Sequence, residues 1–133
     1  MRLVPDDIWA VMTIWQEARS ESMEGKIAVG HVIRNRMRRR YNSDGTVAGT
    51  VLRPYQFSGW NVSDANRIPS ARINDDDPLV RDCQEAWRRS ATENGGAGDA
   101  VLYCNLDILP RRPQWAILAN EVAKIGRHTF YLG

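Results

Sequence analysis

Apolar residues recur every three or four positions over much of the chain, which is the period of a helix with one buried face. This spacing predicts a first helix over residues 8–19 and a second over Met23–Arg39, with Ser22 as its N-cap. Asp77, as an N-cap followed by a proline, predicts the start of a third helix that stops at the glycine pair of residues 95–96. The predicted chain is therefore mostly helical.

A smaller β element is predicted near the C-terminus. Residues 100–104 form a short apolar run typical of a strand, and residues 127–133 form a second one. Residues 46–52 fit either a helix or a strand, and residues 114–124 predict a last short helix. Residues 53–77 show little periodicity and many turn-forming residues, which indicates a long irregular segment of the kind that is often functional. The predicted fold class is mostly α with a small β-hairpin element (α+β).

Length and composition limit the class of protein. The chain has 133 residues, which suits one domain with its own core. No apolar run approaches the roughly 20 residues that a membrane-spanning helix needs, so we expect no membrane span. The N-terminus lacks the apolar stretch of a signal peptide, so we expect none.

The scarce residues exclude further chemistry. The histidines and cysteines of the chain are His31, His128, Cys83 and Cys104. Their number and spacing match no disulfide framework and no standard metal site, so we expect no metal and no cofactor. The five arginines within residues 34–40 can contact an anionic polymer, although such a run is more often a solvated helix end. With a net charge of only +2, we expect no nucleic-acid partner.

Two carboxylates at the end of the first predicted helix are the strongest candidate for chemistry. Glu17 and Glu21 are four residues apart, so on a continuing helix they would share one face, with Cβ atoms about 5–6 Å apart. Carboxylates this close disfavour joint ionisation, and cleavage of a glycosidic bond requires a carboxylic acid that stays protonated near neutral pH. The alternative is a solvated helix end, in which Glu21 belongs to the entry turn of the next helix.

Aromatic and amide side chains alternate early in the irregular segment. Tyr55, Phe57 and Trp60 lie close together in the sequence, among the amides Gln56 and Asn61. Sugars pair apolar ring faces with many hydroxyl groups, so aromatic faces with amide donors are suited to binding them. The alternative is that Phe57 and Trp60 pin a long loop to the core, and one residue can do both.

Four blocks of sequence carry a resemblance to a known family. The opening block, TIWQEARSESMEGKIAVGHVIRNRM, contributes Glu17, Ala18, Arg19, Glu21, Gly25, Ala28, Val29, Val32, Asn35 and Arg36. The three later blocks contribute Pro54, Gln56, Phe57, Trp60, Asn61, Tyr103, Asn105, Ile125, Gly126, His128 and Phe130. In this order they resemble the SleB-type cell-wall hydrolase family, which includes spore-cortex lytic enzymes and many phage lysins. The chain departs from the family pattern at Gln16, Ser20, Gly59 and Leu106.

The resemblance implies a lysozyme-like, lytic transglycosylase-like fold in a single catalytic domain over residues 1–133, with no separate wall-binding module. It implies the glycan strand of peptidoglycan as substrate, cleaved between N-acetylmuramic acid and N-acetylglucosamine at the β-1,4 bond to give a 1,6-anhydro product. It also implies one catalytic glutamate, which by position is Glu17. The substrate-binding candidates are Glu21, Gln56, Phe57, Trp60, Tyr103, Asn105 and His128.

Three alternative functions stay open at this point. Attack by water instead of a sugar hydroxyl would make the protein a muramidase, while an N-acetylmuramoyl-L-alanine amidase usually needs zinc or a Cys nucleophile. The third is a non-catalytic glycan-binding or virion structural module. A wall substrate and no expected signal peptide together predict a phage product made in the host cytoplasm. It would be released at lysis or carried in the particle, where other virion proteins would be its partners.

Overall fold

The computed structural model describes residues 5–54, 56–61, 74 and 76–133. Its helices are α1 (Pro5–Ala18), α2 (Met23–Arg39), α3 (Val47–Val51) and α4 (Pro78–Arg89). Single turns of 3-10 helix cover Ser58–Trp60 and Leu118–Asn120. The strands are β1 (Leu102–Cys104), β2 (Glu121–Ile125) and β3 (His128–Tyr131). The expected fold class, mostly α with a small β element, is therefore confirmed.

Side-chain caps explain where the helices begin. The Ser22 side chain accepts a hydrogen bond from the Gly25 amide at 3.2 Å, so the predicted start of α2 is confirmed. Asp77 caps α4 in the same way. The expected stop of α4 at residues 95–96 is wrong, because the helix ends at Arg89. There the amide of Ser90 bonds back to the preceding turn.

The three strands form one antiparallel sheet in the order β1-β3-β2. The helix predicted over residues 114–124 is wrong, since this stretch contains only a 3-10 turn and then β2. Gly126, with a φ of +59°, turns the chain so that β2 and β3 pair as a hairpin. Pairing with a neighbouring strand overrides the local helical pattern.

The core lies between the helices and one face of the sheet. Its buried side chains include Val11 and Ile14 of α1, Val32 and Ile33 of α2, Val51 of α3, Cys83 of α4 and Phe130 of β3. A smaller cluster under β1 contains Val101, Leu102, Ala116 and Tyr131. Each fully buried aliphatic side chain stabilises the fold by about 1.5–3 kcal/mol. The packing fixes α1, α2 and β1 relative to one another.

The irregular segment expected over residues 53–77 lies partly outside the described residues. Tyr55, residues 62–73 and residue 75 belong to that undescribed part, so the interpretation of Tyr55 is not tested. Residues 56–61 are described and pass close to the C-terminal half of α1. Within the described part of the chain, none of the helices has both the length and the apolar character needed to cross a bilayer.

Candidate active site

Glu17 lies one residue before the end of α1, and its side chain is half-buried. Arg36 of α2 and Tyr103 of β1 face it. Burial lowers the pKa of Arg36, and the nearby acidic groups Tyr103, Tyr41 and Glu17 only partly oppose this shift. Burial also raises the pKa of Tyr103 well above its usual value, and the charge of Glu17 adds to this rise. Glu17 therefore lies near the buried side chains of Arg36 and Tyr103.

The hydroxyl of Tyr103 is buried beside Glu17 without a strong partner. It makes no hydrogen bond of ordinary geometry with any described residue. Glu17 is close enough for its charge to add to the raised pKa of this phenol. Because Tyr103 stays protonated, its hydroxyl is an available donor to the nearby Glu17 carboxylate.

Glu21 is not on the same helix face as Glu17, because α1 ends at Ala18 and Glu21 lies in the turn before α2. Its side chain is 9% exposed. One carboxylate oxygen, Oε1, accepts a hydrogen bond from the Arg127 amide at 2.8 Å, in the turn between β2 and β3. The alternative in which Glu21 belongs to the entry turn of the next helix is therefore the one observed. Its carboxylate connects the β2–β3 hairpin to the helices.

His128 stands next to Glu21 at the start of β3. Its Nδ1 lies 3.7 Å from Glu21 Oε1, beyond hydrogen-bond distance, and this buried atom makes no hydrogen bond with a described residue. Burial lowers the pKa of His128, and the charge of Glu21 only partly opposes this. The imidazole is therefore neutral at pH 7 and packs as a ring.

Tyr103 is the centre of an aromatic cluster that links the strands to the 56–60 loop. Its ring centroid lies 4.9 Å from that of His128, 5.4 Å from that of Phe130 and 6.3 Å from that of Phe57. Tyr103 and Phe130 are paired neighbours on β1 and β3. The cluster fixes the Tyr103 ring, and with it the hydroxyl that faces Glu17.

Gln56 and Phe57 are both held by Arg36. The Oε1 of Gln56 accepts a bond from Arg36 Nη1 at 3.3 Å and another from Asn42 Nδ2 at 3.2 Å. Phe57 is 1% exposed and belongs to the core, so its ring offers no surface to a ligand. The loop-anchoring alternative therefore fits Phe57, whereas Gln56 is only half-buried.

Trp60 packs along α1, one turn before Glu17. Its Nε1 donates to Thr13 Oγ1 at 2.8 Å, and its ring meets that of Trp9 edge-on at 5.4 Å. Thr13 and Glu17 are four residues apart on one helix, so they share a face. The half-buried Trp60 ring thus lies on the same face of α1 as Glu17. The same residue also anchors the 56–60 loop to α1.

Asn105 follows β1 directly and closes the next turn. Its Oδ1 accepts a hydrogen bond from the Asp107 amide at 3.0 Å, and its side chain is half-buried. The oxygen of this amide is therefore occupied within its own turn.

Gly59 lets the loop approach α1 next to Glu17. A Cβ atom at this position would lie 2.3 Å from Gln16 Oε1 and 2.8 Å from Gln16 Cβ, so no side chain fits there. The two departures from the family pattern at residues 16 and 59 are therefore complementary in size. The larger side chain on the helix needs the smaller residue on the loop.

Arg36 is the site residue whose importance the sequence interpretation missed. It entered only as part of a motif, yet it is 3% exposed and holds groups from two other elements. A signal was present, because Arg36 follows the buried residues Val32 and Ile33 by four and three positions. A charged residue on the apolar stripe of a helix indicates a buried polar role.

Metal and thiol chemistry find little support among the described side chains. The described part of the chain contains no group of three or more His, Cys, Asp and Glu that could hold a metal ion. Cys83 is fully buried, and burial raises the pKa of its thiol to about 12. Cys104 is half-buried on β1, and burial raises its thiol pKa as well. Neither thiol is suited to act as a nucleophile at neutral pH.

The domain is therefore mostly helical, and its candidate site has the Glu17 carboxylate at the end of α1, beside the small sheet. The family model described as Cell Wall Hydrolase matches residues 20–131, and the chain belongs to this family. The matched range begins after Glu17. The expected family resemblance is therefore confirmed, while the role of Glu17 depends on the geometry of the site.

One curated relative is the spore cortex-lytic enzyme of Oceanobacillus iheyensis. It is 28% identical over 117 residues, which cover 88% of this chain and 38% of the relative. The chain thus spans about two fifths of the length of that relative. The sequence similarity extends over most of this chain but leaves most of the larger protein unmatched.

Two solved structures share the fold. The catalytic domain of the germination-specific lytic transglycosylase SleB from Bacillus anthracis is 23% identical, with a TM-score of 0.70, over 97% of this chain and 96% of that one. The catalytic domain of the Bacillus cereus SleB protein is also 23% identical, with a TM-score of 0.70, over 98% and 92%. These likenesses confirm the expected lysozyme-like architecture.

Proposed function

We propose that the protein cleaves peptidoglycan between N-acetylmuramic acid and N-acetylglucosamine as a lytic transglycosylase, with Glu17 as the single catalytic acid. The observation that carries the proposal is the contrast between the two glutamates. Glu17 faces Tyr103 and Arg36, whereas Glu21 is bound to the Arg127 amide. Membership of the cell wall hydrolase family supports peptidoglycan as the substrate.

A single acid is sufficient for this reaction. Protonated Glu17 donates its proton to the leaving glycosidic oxygen, and the bond from that oxygen to the muramic C1 breaks. The resulting carboxylate takes the proton of the C6 hydroxyl, whose oxygen attacks C1 and closes the 1,6-anhydro ring. General acid–base help of this kind contributes typically about 10²–10⁴-fold to the rate. No second acid on the opposite face of the sugar is needed, unlike in ordinary glycosidases.

The other candidate residues divide into two groups in this proposal. Gln56, Trp60 and Asn105 are half-buried, so they keep exposed surface with which to contact the glycan. Phe57, Glu21 and His128 have little exposed surface and support the site from the interior of the protein. Tyr103 belongs to both groups, because its ring packs in the cluster while its hydroxyl faces Glu17.

The test is digestion of purified peptidoglycan by the wild type and by Glu17→Gln, with mass spectrometry of the released fragments. The expected result is 1,6-anhydro-muropeptides from the wild type and almost none from the variant. Glu24→Gln is the matched control, because Glu24 is an exposed glutamate in the first turn of α2. Free stem peptides, or equal activity of Glu17→Gln, would contradict the proposal.

Hydrolysis is the nearest alternative. If water replaces the C6 hydroxyl as the nucleophile, the same Glu17 serves a muramidase and the fragments carry reducing ends. An amidase has less support, because the pKa of Cys83 is raised to about 12 and no metal-binding group is found among the described residues. A non-catalytic glycan-binding or virion module would release no fragments at all.

We also infer a phage lysin as the biological setting, either released at lysis or carried in the particle. This rests on the likeness to a family that includes phage lysins as well as spore-cortex enzymes. The expected result is cleavage of sacculi from vegetative cells. Activity on isolated spore cortex alone would contradict this setting while leaving the chemistry of Glu17 intact.

A further inference from the structure

Two tryptophan rings lie together on the α1 side of the candidate site. Trp9 of α1 and Trp60 of the 56–60 loop meet edge to face, with ring centroids 5.4 Å apart and an angle of 72° between the ring planes. Both residues are half-buried, so each packs against the core and keeps part of its surface exposed. Trp60 is a substrate-binding candidate from the sequence, whereas Trp9 belongs to none of the four family blocks.

Thr13 holds both tryptophans in place. Its Oγ1 donates a hydrogen bond to the Trp9 carbonyl at 2.8 Å and accepts one from Trp60 Nε1 at 2.8 Å. Thr13 is fully buried, so these bonds are shielded from water. Gly59 keeps the loop close to Gln16 of the same helix. The two rings are therefore fixed before any ligand binds, and a fixed aromatic side chain loses little conformational entropy on binding.

The tryptophan pair, Trp9 and Trp60, follows Glu17 along one side of α1. Trp9, Thr13 and Glu17 are spaced four residues apart on this helix, so they lie on one side of it. With a rise of about 1.5 Å per residue, Thr13 lies about 6 Å and Trp9 about 12 Å from Glu17 along the helix axis. The pair thus begins one helical turn from Glu17 and extends over a length comparable with a disaccharide unit.

We propose that Trp9 and Trp60 form a second glycan subsite, which binds a sugar of the same strand at a distance from the bond that Glu17 cleaves. This inference rests on the proposed function of Glu17. N-acetylated sugars present apolar ring faces, and fixed, partly exposed aromatic rings are suited to pack against them. The protein should therefore prefer long glycan strands to short fragments, because only a long strand reaches both Glu17 and the tryptophan pair.

Trp15 provides a matched control on the same helix. It is also half-buried and packs against the core. The guanidinium carbon of Arg19, however, lies 4.1 Å from the centre of the Trp15 ring, so that ring face is already covered. Trp15 is two residues from Glu17, which places the two side chains on different sides of α1. Trp15→Leu therefore removes a tryptophan of equal size and leaves both rings of the tryptophan pair in place.

Binding can be measured without turnover in the Glu17→Gln protein, by calorimetric titration with β-1,4-linked N-acetylglucosamine oligomers of two or six sugars. Adding Trp9→Leu should raise the Kd of the six-sugar oligomer by about 3–10-fold and that of the two-sugar oligomer by less. Adding Trp15→Leu should change neither Kd. An equal Kd for the six-sugar oligomer with and without Trp9→Leu would overturn the proposal.

Turnover supplies a second test. On purified peptidoglycan, Trp9→Leu should raise KM by about 3–10-fold and change kcat by less, because the pair lies away from the reacting bond. A fall in kcat at constant KM would contradict the subsite. If Trp9→Leu does not fold, equal Kd values of the Glu17→Gln protein for the two oligomers would overturn it. An inactive wild type that binds the longer oligomer more tightly would instead overturn the proposed function and leave the subsite standing.

Discussion

The surroundings of Glu17 and of Glu21 differ in what binds each carboxylate. Glu17 faces a cation and a phenol from two other elements, both side chains. Glu21 accepts a backbone amide hydrogen bond at 2.8 Å and is 9% exposed. In the proposed function, Glu17 exchanges a proton with the substrate, whereas the Glu21 carboxylate holds the β2–β3 turn. Two identical residues four positions apart thus have different surroundings because α1 ends between them.

The hairpin turn shows how closely Glu21 is built into the structure. A Cβ atom on Gly126 would lie 2.8 Å from Glu21 Oε1, so the carboxylate occupies the space beside this glycine. The Glu21 backbone carbonyl also accepts a hydrogen bond from Lys26 Nζ at 2.5 Å. Glu21 therefore connects the turn after α1 to the β2–β3 turn, and this connection helps to position the sheet next to the site.

The largest expected effect is the loss of activity on Glu17→Gln. The change removes the proton donor but keeps the shape, so kcat should fall by about 10²–10⁴-fold. Its effect on the free energy of unfolding should be smaller than that of replacing Glu21 by alanine. Rates from fragment release and urea unfolding curves measure the two quantities. A large loss of stability with full activity would reverse the assigned roles.

Glu21 should show the opposite behaviour. Glu21→Ala removes the acceptor of the Arg127 amide and should lower the free energy of unfolding by about 1–3 kcal/mol, since a hydrogen bond to a charged group is lost. Glu21→Gln keeps an oxygen acceptor and should retain most of the stability and most of the activity per folded molecule. Urea unfolding of both variants, with activity corrected for the folded fraction, checks this. If Glu21→Gln is folded and inactive, Glu21 has a chemical role.

Local signals in the sequence predicted the helices better than the sheet. Ser22 and Asp77 cap their helices from within one turn, so the starts of α2 and α4 could be read directly. The strand β2 was mistaken for a helix because its pairing partner lies beyond the Gly126 turn, and its own apolar spacing also fits a helix. The end of α4 at Arg89, well before the glycines at residues 95–96, was not predicted either.

The site was predictable in its residue types but not in its contacts. Glu17 and Tyr103 were both singled out, yet no pattern along the chain shows that they meet, because strand placement is set by Asn35 and Arg36 on another helix. Arg36 was visible only as a charge on an apolar stripe. Phe57 was expected to face a ligand or the core, and only the packing shows that it is buried.

A substitution at Gly59 tests whether the position of the loop next to α1 matters for the surroundings of Glu17. Gly59→Ala should destabilise the protein by about 1–3 kcal/mol and reduce activity, because its Cβ would meet Gln16 at 2.3 Å and push the loop away from α1. Adding Gln16→Gly removes the side chain that causes the clash. The double variant should therefore recover activity relative to Gly59→Ala, despite the cost of glycine in a helix.

A double-mutant cycle measures this coupling. Thermal unfolding and fragment-release rates for the wild type, both single variants and the double variant give the interaction energy between residues 16 and 59. Strictly additive effects would show that the loop does not rest on Gln16, and the size complementarity of these two positions would then carry no meaning for the site.

The smallest expected effect is a pH dependence of stability that arises from His128, the neighbour of Glu21. Burial lowers the pKa of folded His128 below the usual 6.5, so between the two values the unfolded chain binds more protons than the folded one. Stability should therefore decrease as the pH falls from above 6.5 through the folded pKa, and this contribution should level off below it. His128→Gln should flatten the slope of Tm against pH in this window. An unchanged slope in His128→Gln would show that this pH dependence arises elsewhere in the molecule.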